Sequence, residues 1–352
     1  MNVKYSSRLT KIDNILKEKL PDIYEESWKD SFFDQLPRYV PDNFIAKLII
    51  PCKKLVELGG KRWRPLLLVL CAEMAAEKNG GSEANIETAY QLTPLIEFVH
   101  NASLIHDDIE DNSDMRRGKP AAHIVYGTDV ALNSGTWLYF AAPQCISDIN
   151  VPIELKNNLY ETYLTELRRL HLGQAMDIEW HRQKDFIPSP DEYFAMTQLK
   201  TGTLASLAAK IGILAGGGSF EEASLIGSYA AKIGIGFQIL DDIINLTTGN
   251  KGKKRGDDIV EGKKSLPLIL HLQNKPGDLN KIIKYFKKAE KEGPSSKAVE
   301  NCIELLNSTD AIEKALDISR QLIKETCAQI SERYNNSESA ELVTKLFTSM
   351  LI

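Results

Sequence analysis

The chain has 352 residues, enough for a large domain with an ample core. Its 43 basic side chains are outnumbered by 48 acidic ones, and the net charge of -5 gives no general electrostatic reason to bind nucleic acid or an anionic membrane. The first twenty residues lack the apolar stretch of a secretory signal, and no run of about 18 apolar residues predicts a membrane span. Five cysteines without metal-ligand spacing indicate unpaired thiols, so we expect a cytoplasmic protein.

Helical periodicity dominates the chain from its first residues onward. After a short amphipathic pattern at 9–20, longer helical patterns follow at 65–76, 90–109, 154–176, 193–215, 220–246 and 311–334. Alternating stretches joined by Asn-Gly turns are nearly absent, so no hairpin is predicted. The pattern predicts one all-α domain at 41–352, with about ten to a dozen helices in the whole chain and a helical N-terminal extension at 1–40.

Two pairs of Asp residues lie on these helical patterns, far apart in the chain. At 107–111 and again at 241–245, the first and fifth residues are four apart, which places them on one face of a helix. Mg²⁺ takes one or two carboxylates and completes its shell with water and phosphate oxygens. Two such clusters facing one cavity predict an enzyme that acts on a diphosphate ester. An ordinary acidic helix surface would be the better interpretation of either cluster alone.

Basic segments accompany the acidic clusters. Arg116 and Arg117 follow the first cluster, and guanidinium groups bind diphosphates in a bidentate manner. The segment 59–65 (Gly-Gly-Lys-Arg-Trp-Arg-Pro) carries three cations where a helix is expected to begin, a position that disfavours positive charge and so indicates an anionic ligand. The loop at 249–264 is basic and punctuated by Gly, and its segment 252–258 is a candidate lid, although a solvated charge run is the better interpretation of this segment alone.

Taken together, these segments resemble the trans-isoprenyl diphosphate synthases, the polyprenyl synthetase family. The matching segments appear in family order at 59–65, 100–108, 116–118, 200–202, 236–242, 256–258 and 261–263. The resemblance implies an isoprenoid synthase-type bundle of helices around a central cavity, and a homodimer. It implies head-to-tail transfer of an allylic group from dimethylallyl, geranyl or farnesyl diphosphate to isopentenyl diphosphate.

The resemblance also assigns roles to single residues of this chain. The residues implied to hold Mg²⁺, with three ions in each active site, are Asp107, Asp108, Asp111, Asp241, Asp242 and Asn245. Those implied to contact the allylic diphosphate or stabilise the carbocation are Arg116, Lys200, Thr201, Gln238 and Lys253. Those implied to bind isopentenyl diphosphate are Lys61, Arg64, His100 and Arg117, and Lys263 is a further substrate-binding residue. The chain departs from the common pattern at Asn245, where many relatives have Asp, and at 252–254, where Gly-Lys-Lys replaces Gly-Lys-Pro.

Product length depends on where the growing tail meets a wall. Ala102 and Ser103, which precede the first Asp cluster, are small, so a C15 stop is not expected. The next wall is predicted at Tyr139, Phe140 and His171, in segments most like those of geranylgeranyl diphosphate synthases. The predicted product is therefore geranylgeranyl diphosphate (C20). A longer polyprenyl product is the alternative, in which case these three residues are ordinary core residues.

Two other functions remain open from the sequence. A class I terpene cyclase shares the fold, but its second metal motif differs from that at 241–245, and it has no use for a second diphosphate site. A non-catalytic subunit that modulates an active partner usually loses Asp from its clusters, whereas five of the six positions here are Asp. An active prenyl diphosphate synthase is therefore the favoured interpretation.

Overall fold

The computed structural model describes residues 3–249, 255–335 and 337–351. These residues form nineteen α-helices and one short two-stranded ladder, which confirms the predicted all-α class. The helices of the N-terminal half are α1 (Ser6–Lys19), α2 (Glu26–Phe33), α3 (Asp42–Glu57), α4 (Trp63–Asn79), α5 (Glu83–Gln91), α6 (Thr93–Glu110), α7 (Ala122–Tyr126), α8 (Thr128–Ala141), α9 (Gln144–Asp148) and α10 (Ile153–Arg182).

The C-terminal half continues the same architecture. Its helices are α11 (Pro190–Thr197), α12 (Thr203–Ala215), α13 (Phe220–Thr247), α14 (Asp257–Glu261), α15 (Leu266–Asn274), α16 (Leu279–Glu292), α17 (Lys297–Asn307), α18 (Ala311–Arg333) and α19 (Glu338–Thr348). A π-helical turn, Gln198–Gly202, joins α11 to α12. Short 3₁₀ turns occupy Val3–Tyr5 and Pro276–Asp278.

The centre of the bundle is formed by α12, which packs between α4 and α13, while α13 packs in turn against α18. Close packing of α12 on α4 requires a glycine: a Cβ atom at Gly212 would lie 2.3 Å from the carbonyl oxygen of Leu68. Twelve of the thirteen residues of α12 are buried, as expected for a helix surrounded by other helices. This central layer forms one side of the cavity described below.

Helix α13 is long and apolar enough, by length and composition, to cross a membrane. In the fold, however, 56% of its most apolar window is buried against other helices. It also carries the second Asp cluster to the cavity. Core helices of globular proteins often pass this length test, so we interpret α13 as a core helix that packs beside α12.

The N-terminal helix α1 packs against α4, α5 and α6. Its apolar stripe is buried in the main core, with Ile12 and Leu16 essentially inaccessible. The predicted division of the chain at residue 40 stays a prediction, although α1 shares its core with the later helices.

Two features differ from the sequence prediction. The described residues form nineteen α-helices where about ten to a dozen were predicted, partly because α7, α9 and α14 have only five residues each, too few to show a period. A hairpin is also present: β1 (Met115–Arg116) pairs antiparallel with β2 (Lys119–Pro120). Strands of two residues leave no alternation to detect. The φ angles of Arg117 (51°) and Gly118 (76°) are both positive, as in a tight hairpin turn.

Candidate active site

One cavity of about 600 Å³ opens between α4, α6, α10, α13 and the π-helical turn. Its volume lies within the range of small-molecule sites. Of the predicted site residues, it brings together Lys61, Arg64, His100, Ser103, Asp107, Arg116, Arg117, Tyr139, His171, Lys200, Thr201, Gln238, Asp241, Asp242 and Lys263. Five others do not line it: Ala102, Asp108, Asp111, Phe140 and Asn245. Lys253 lies outside the residues that the structure describes.

Helix α6 presents one face to the cavity. His100, Ser103, Leu104, Asp107 and Glu110 all line it, and their spacing of three and four residues is that of one side of a helix. Ala102, which lies between them, points into the core and is buried. The small side chain that faces the cavity before Asp107 is therefore Ser103 alone.

The three carboxylates of the first cluster have different surroundings. Asp107 lines the cavity, whereas Asp108 is buried behind it and accepts a hydrogen bond from Arg116 Nε at 2.8 Å. Arg116 Nη2 also lies 3.4 Å from Asp107 Oδ2, so one guanidinium bridges both acids. Asp111 follows the last residue of α6. Its Oδ2 is buried and accepts no hydrogen bond from any described residue, with Lys263 Nζ 3.5 Å away.

Cations dominate the electrostatics of Asp107. Lys200 Nζ and Gln174 Nε2 both lie 3.2 Å from its Oδ1. Burial pushes the pKa of Asp107 upward, but the charges of Lys200, Lys263 and Arg116 outweigh burial and hold it well below the ordinary value. Asp107 is therefore an ionised, cavity-facing carboxylate with oxygen atoms available to a metal ion.

Lys200 owes its position to the π-helical turn. Such turns are rare and cluster at functional sites. A Cβ atom at Gly173 would lie 2.3 Å from the backbone nitrogen of Lys200, so only glycine lets α10 approach the turn this closely. The widened turn directs Lys200 toward Asp107 on α6 and Asp177 on α10.

Asp177 on α10 is a second partner of Lys200, with Oδ2 at 2.5 Å from its Nζ. His181, one turn later, places Nε2 3.0 Å from the other oxygen of Asp177. Burial raises the pKa of Asp177, but Lys200 and His181 outweigh it and hold the pKa well below its ordinary value. The carboxylates of Asp107 and Asp177 in turn outweigh the effect of burial on Lys200 and raise its pKa. Asp107, Lys200 and Asp177 therefore form one buried network of charges.

The second cluster divides its roles in the same way. Asp241 lines the cavity. Asp242 is buried and accepts hydrogen bonds from Tyr193 Oη at 2.7 Å and Gln238 Nε2 at 2.9 Å. Burial raises the pKa of Asp242 to about 6 against the effect of these donors. Thr201 Oγ1 donates to Gln238 Oε1 at 2.9 Å, so the hydrogen bonds run without a break from the π-helical turn to Asp242.

Asn245 is not at the cavity. Its side-chain Oδ1 accepts a hydrogen bond from the backbone nitrogen of Asp258 at 3.3 Å, and its carbonyl oxygen accepts one from Gly256 at 2.9 Å. Since the side-chain oxygen is buried and already used, its predicted role as a metal ligand has no support in this geometry. The residue instead ties the end of α13 to the start of α14.

A second group of cations also lines the cavity. Lys61 and Arg117 form no ion pair with any residue that the structure describes. Arg64 lies 3.5 Å from His100, and its Nε is buried without a hydrogen-bond partner. Burial lowers the pKa of Arg64 to about 10, and burial together with Arg64 holds the pKa of His100 well below its ordinary value. This positive charge is offset only in part, by Glu97, a buried carboxylate that pairs with Arg62 and whose charge acts on Arg64 and Arg117.

The predicted wall is only partly in place. Tyr139 and His171 line the cavity with ring centroids 5.2 Å apart, and His106 stacks edge-on against Tyr139 at 5.5 Å. Phe140 is 76% exposed, so this part of the prediction is wrong for the single chain. The side chains of Tyr139 and Phe140 point about 100° apart on α8, and here Tyr139 faces the cavity while Phe140 faces outward.

Lys263 lies where the loop after α14 meets the cavity. Its Nζ is 2.6 Å from Glu261 and 3.5 Å from Asp111. Burial would lower the pKa of Lys263, but Glu261, Asp258 and Asp111 outweigh it and raise the pKa well above the ordinary value. Lys263 thus carries a fixed positive charge beside the first Asp cluster.

The donor set suits Mg²⁺ shared with a substrate. Asp107 and Asp241 face one cavity, and the Oδ2 of Asp111, 3.5 Å from Lys263 Nζ, lies next to it. Within the described residues, no three His, Cys, Asp or Glu side chains are placed to hold a metal ion by themselves. That agrees with the usual binding of Mg²⁺, in which one or two carboxylates are completed by substrate phosphate and water.

The structure adds site residues that the sequence analysis missed. Gln174, Asp177 and Tyr193 line the cavity and hold Asp107, Lys200 and Asp242 in place. A signal for two of them was available: Leu170, His171, Gln174 and Asp177 recur with helical spacing, so the predicted His171 already marked their face. Tyr193 lies on a different helix and gave no such signal.

The comparisons with known proteins agree with this geometry. The polyprenyl synthetase family model matches residues 46–306. The chain is 38% identical to a geranylgeranyl diphosphate synthase of Methanosarcina mazei over 68% of this chain and 71% of that protein. It is 32% identical to one of Sulfolobus acidocaldarius over 84% and 88% of the two chains. The solved structure of a geranylgeranyl pyrophosphate synthetase from Pyrococcus horikoshii superposes with a TM-score of 0.81, at 27% identity over 99% of this chain and 97% of that one. The chain belongs to the polyprenyl synthetase family.

Proposed function

We propose that this prenyltransferase condenses isopentenyl diphosphate head-to-tail with allylic diphosphates and that its main product is geranylgeranyl diphosphate. One observation carries the proposal: a single cavity has unpaired cations around Arg64 on one wall and the carboxylates of Asp107 and Asp241 on the others. Two diphosphates therefore have separate places, one bound directly by cations and one through metal ions. Binding two reactants side by side supplies much of the rate gain of such a reaction.

Asp107, Asp111 and Asp241 are the residues that would hold Mg²⁺, three ions in all, together with the allylic diphosphate. When bound, Mg²⁺ neutralises the diphosphate and makes it a better leaving group. Asp108 supports the site through its ion pair with Arg116, and Asp242 through its hydrogen bonds with Tyr193 and Gln238.

The residues of the chain guide each bond change. Lys200 and Arg116 stabilise the negative charge as the allylic C1–O bond breaks and its electron pair leaves with pyrophosphate. Lys61, Arg64 and Arg117 hold isopentenyl diphosphate, whose C3=C4 electrons form the new bond from C4 to the allylic C1. A proton then leaves C2 of the isopentenyl unit to restore a double bond, with the released pyrophosphate as the base.

Product length follows from the rings at the far end of the cavity. The tail extends from Asp107 past Ser103, which is small, toward Tyr139 and His171. Both rings line the cavity, and we assign the C20 stop to them. Curated relatives at similar identity include a geranylfarnesyl diphosphate synthase and a nonaprenyl diphosphate synthase, so length must follow from this chain's own wall.

Exposed apolar side chains support the proposed homodimer. Leu132 and Phe140 on α8, and Leu164 and Leu172 on α10, are each about half exposed or more and recur eight residues apart on one face of each helix. Such a patch marks an interaction surface, and a second copy of this chain is the partner we propose. All five cysteines are free and buried, in keeping with the proposed cytoplasmic location.

Elongation is expected to depend on Mg²⁺. With farnesyl diphosphate and labelled isopentenyl diphosphate, an excess of EDTA should lower incorporation to below about 1% of the rate with Mg²⁺, because the carboxylate-lined part of the cavity would repel the bare diphosphate. Adding Mg²⁺ beyond the EDTA should restore the rate. Incorporation that continues unchanged in EDTA would contradict the proposal.

Replacing Tyr139 by Ala is expected to shift the main product to C25 or longer, because the ring stacked on His171 is removed from the end of the cavity. The neighbouring Phe140→Ala variant is the matched control, since Phe140 points outward, and its product should stay at C20. Chromatography of the hydrolysed products gives the lengths. If Phe140→Ala lengthens the product and Tyr139→Ala does not, the wall is assigned to the wrong residue.

A further inference from the structure

Arg62 behaves differently from the cations on either side of it. Its φ angle is 48°, which a residue other than glycine rarely adopts, and its side chain is buried. The guanidinium is directed at protein groups: Nε donates to Asp13 Oδ1 at 3.0 Å, Nη1 to Glu97, and Nη2 to the carbonyl oxygen of Val56. Of the three cations that the sequence places at 61–64, Lys61 and Arg64 are therefore left to bind a ligand, whereas Arg62 stabilises the fold.

Glu97 continues this network toward the cavity. It is buried, and besides Arg62 it accepts a hydrogen bond from Asn101 Nδ2 at 3.0 Å. The other end of the Asn101 amide, Oδ1, accepts from Arg117 Nη1 at 3.3 Å. Arg117 Nη1 also donates to the carbonyl oxygen of Leu55 at 2.9 Å. A continuous chain of polar contacts therefore links Asp13, on α1, to Arg117, at the cavity.

Arg62 lies between two cavity-lining cations in the sequence, so the network that holds Arg62 also affects the positions of those cations. Lys61 precedes it and Arg64 follows two residues later, at the first turn of α4. A backbone held in a left-handed conformation persists only when surrounding contacts determine it. The contacts of Asp13 and Glu97 with the guanidinium therefore hold the backbone at Arg62. They thereby fix the directions in which the side chains of Lys61 and Arg64 point.

We propose that Asp13 and Arg62 are positioning residues for the isopentenyl diphosphate site, so that helix α1 braces one substrate site from behind. The inference rests on the proposed function, because it takes Lys61, Arg64 and Arg117 as the ligands of that substrate. It gives α1 a role in substrate binding that the sequence of this segment does not reveal. The allylic site takes its side chains from α6, α10, α13 and the π-helical turn, and the side-chain contacts of Arg62 go to Asp13, Glu97 and Val56 and not to that site.

The test compares Asp13→Ala with Lys11→Ala. Both residues lie on α1, and Lys11 forms an exposed ion pair with Glu87 that has no connection to the cavity. Asp13→Ala is expected to raise the KM for isopentenyl diphosphate about fivefold, as for the loss of one partly exposed ion pair, with kcat and the KM for farnesyl diphosphate changed less than about twofold. Asp13→Asn keeps an oxygen acceptor and should give an intermediate KM. Lys11→Ala should match wild type.

Calorimetric titration of each variant with isopentenyl diphosphate alone separates this inference from the proposed function. The dissociation constant should rise for Asp13→Ala by the same factor as KM. If wild type binds isopentenyl diphosphate but does not elongate any starter, the proposed reaction is wrong while the brace is still tested by binding. The inference is overturned if wild type does not bind isopentenyl diphosphate, if Asp13→Ala binds as wild type does, or if Asp13→Ala and Lys11→Ala weaken binding equally.

Discussion

Replacing Asp107 by Asn is expected to lower kcat for prenyl transfer by about a thousandfold, with the protein still folded. Asp107 is the carboxylate of the first cluster that faces the cavity, and three cations keep it ionised. An amide of the same shape removes the charge that binds Mg²⁺ and leaves Lys200 with one carboxylate partner in place of two. Initial rates with saturating farnesyl and isopentenyl diphosphates measure the loss.

The control for Asp107→Asn is Asp114→Asn, which removes one negative charge from the exposed loop that follows the same helix. Its rate is expected to stay within about twofold of wild type, since an exposed charge is screened by water and salt. Equal losses in the two variants would show that overall charge, and not the site, is responsible. A rate for Asp107→Asn near that of wild type would remove Asp107 from the metal site.

Replacing Lys200 by Ala is expected to lower kcat by about a hundredfold or more, because the cation that faces the leaving diphosphate is lost and Asp107 and Asp177 are left to repel each other. The KM for isopentenyl diphosphate should change much less, since that substrate is bound by the second group of cations. Steady-state kinetics with each substrate varied in turn give the separate constants.

Lys210→Ala is the matched control for Lys200→Ala. Lys210 on α12 pairs with buried Glu166 at 2.7 Å, so, like Lys200, it forms an ion pair with α10, but it does not line the cavity. Thermal unfolding of both variants reports the cost of breaking a partly buried ion pair. A large loss of kcat in Lys210→Ala, or none in Lys200→Ala, would contradict the role given to Lys200.

The sequence was sufficient to predict the helical fold and the inner face of the site. Apolar spacing places most long helices, and each Asp cluster contains a residue, Asp107 or Asp241, that the fold brings to one cavity. Periodicity specifies which residues share a face of one helix. It does not specify which neighbour that face meets, and this is why the pairing of Lys200 with Asp177 was not predicted.

The remaining errors have local causes. Phe140 was placed on the wall because the resemblance treats 139–140 as a unit, whereas a helix turns adjacent side chains apart. Asn245 was assigned to metal by its place in a motif, but its oxygen is used by the backbone of Asp258. The π-helical turn and the hairpin at 115–120 depend on tertiary contacts and on φ angles that residue identity alone does not determine. The boundary at residue 40 remains a prediction.

The most direct test of the account is a product assay with the unmodified protein. Purified protein would receive Mg²⁺, labelled isopentenyl diphosphate and, separately, dimethylallyl, geranyl or farnesyl diphosphate, and the hydrolysed products would be sized by chromatography. The account predicts a C20 main product, formed with at least the farnesyl starter. A main product of C25 or longer would contradict the wall at Tyr139 and His171, and the absence of elongation with every starter would contradict the proposed reaction itself.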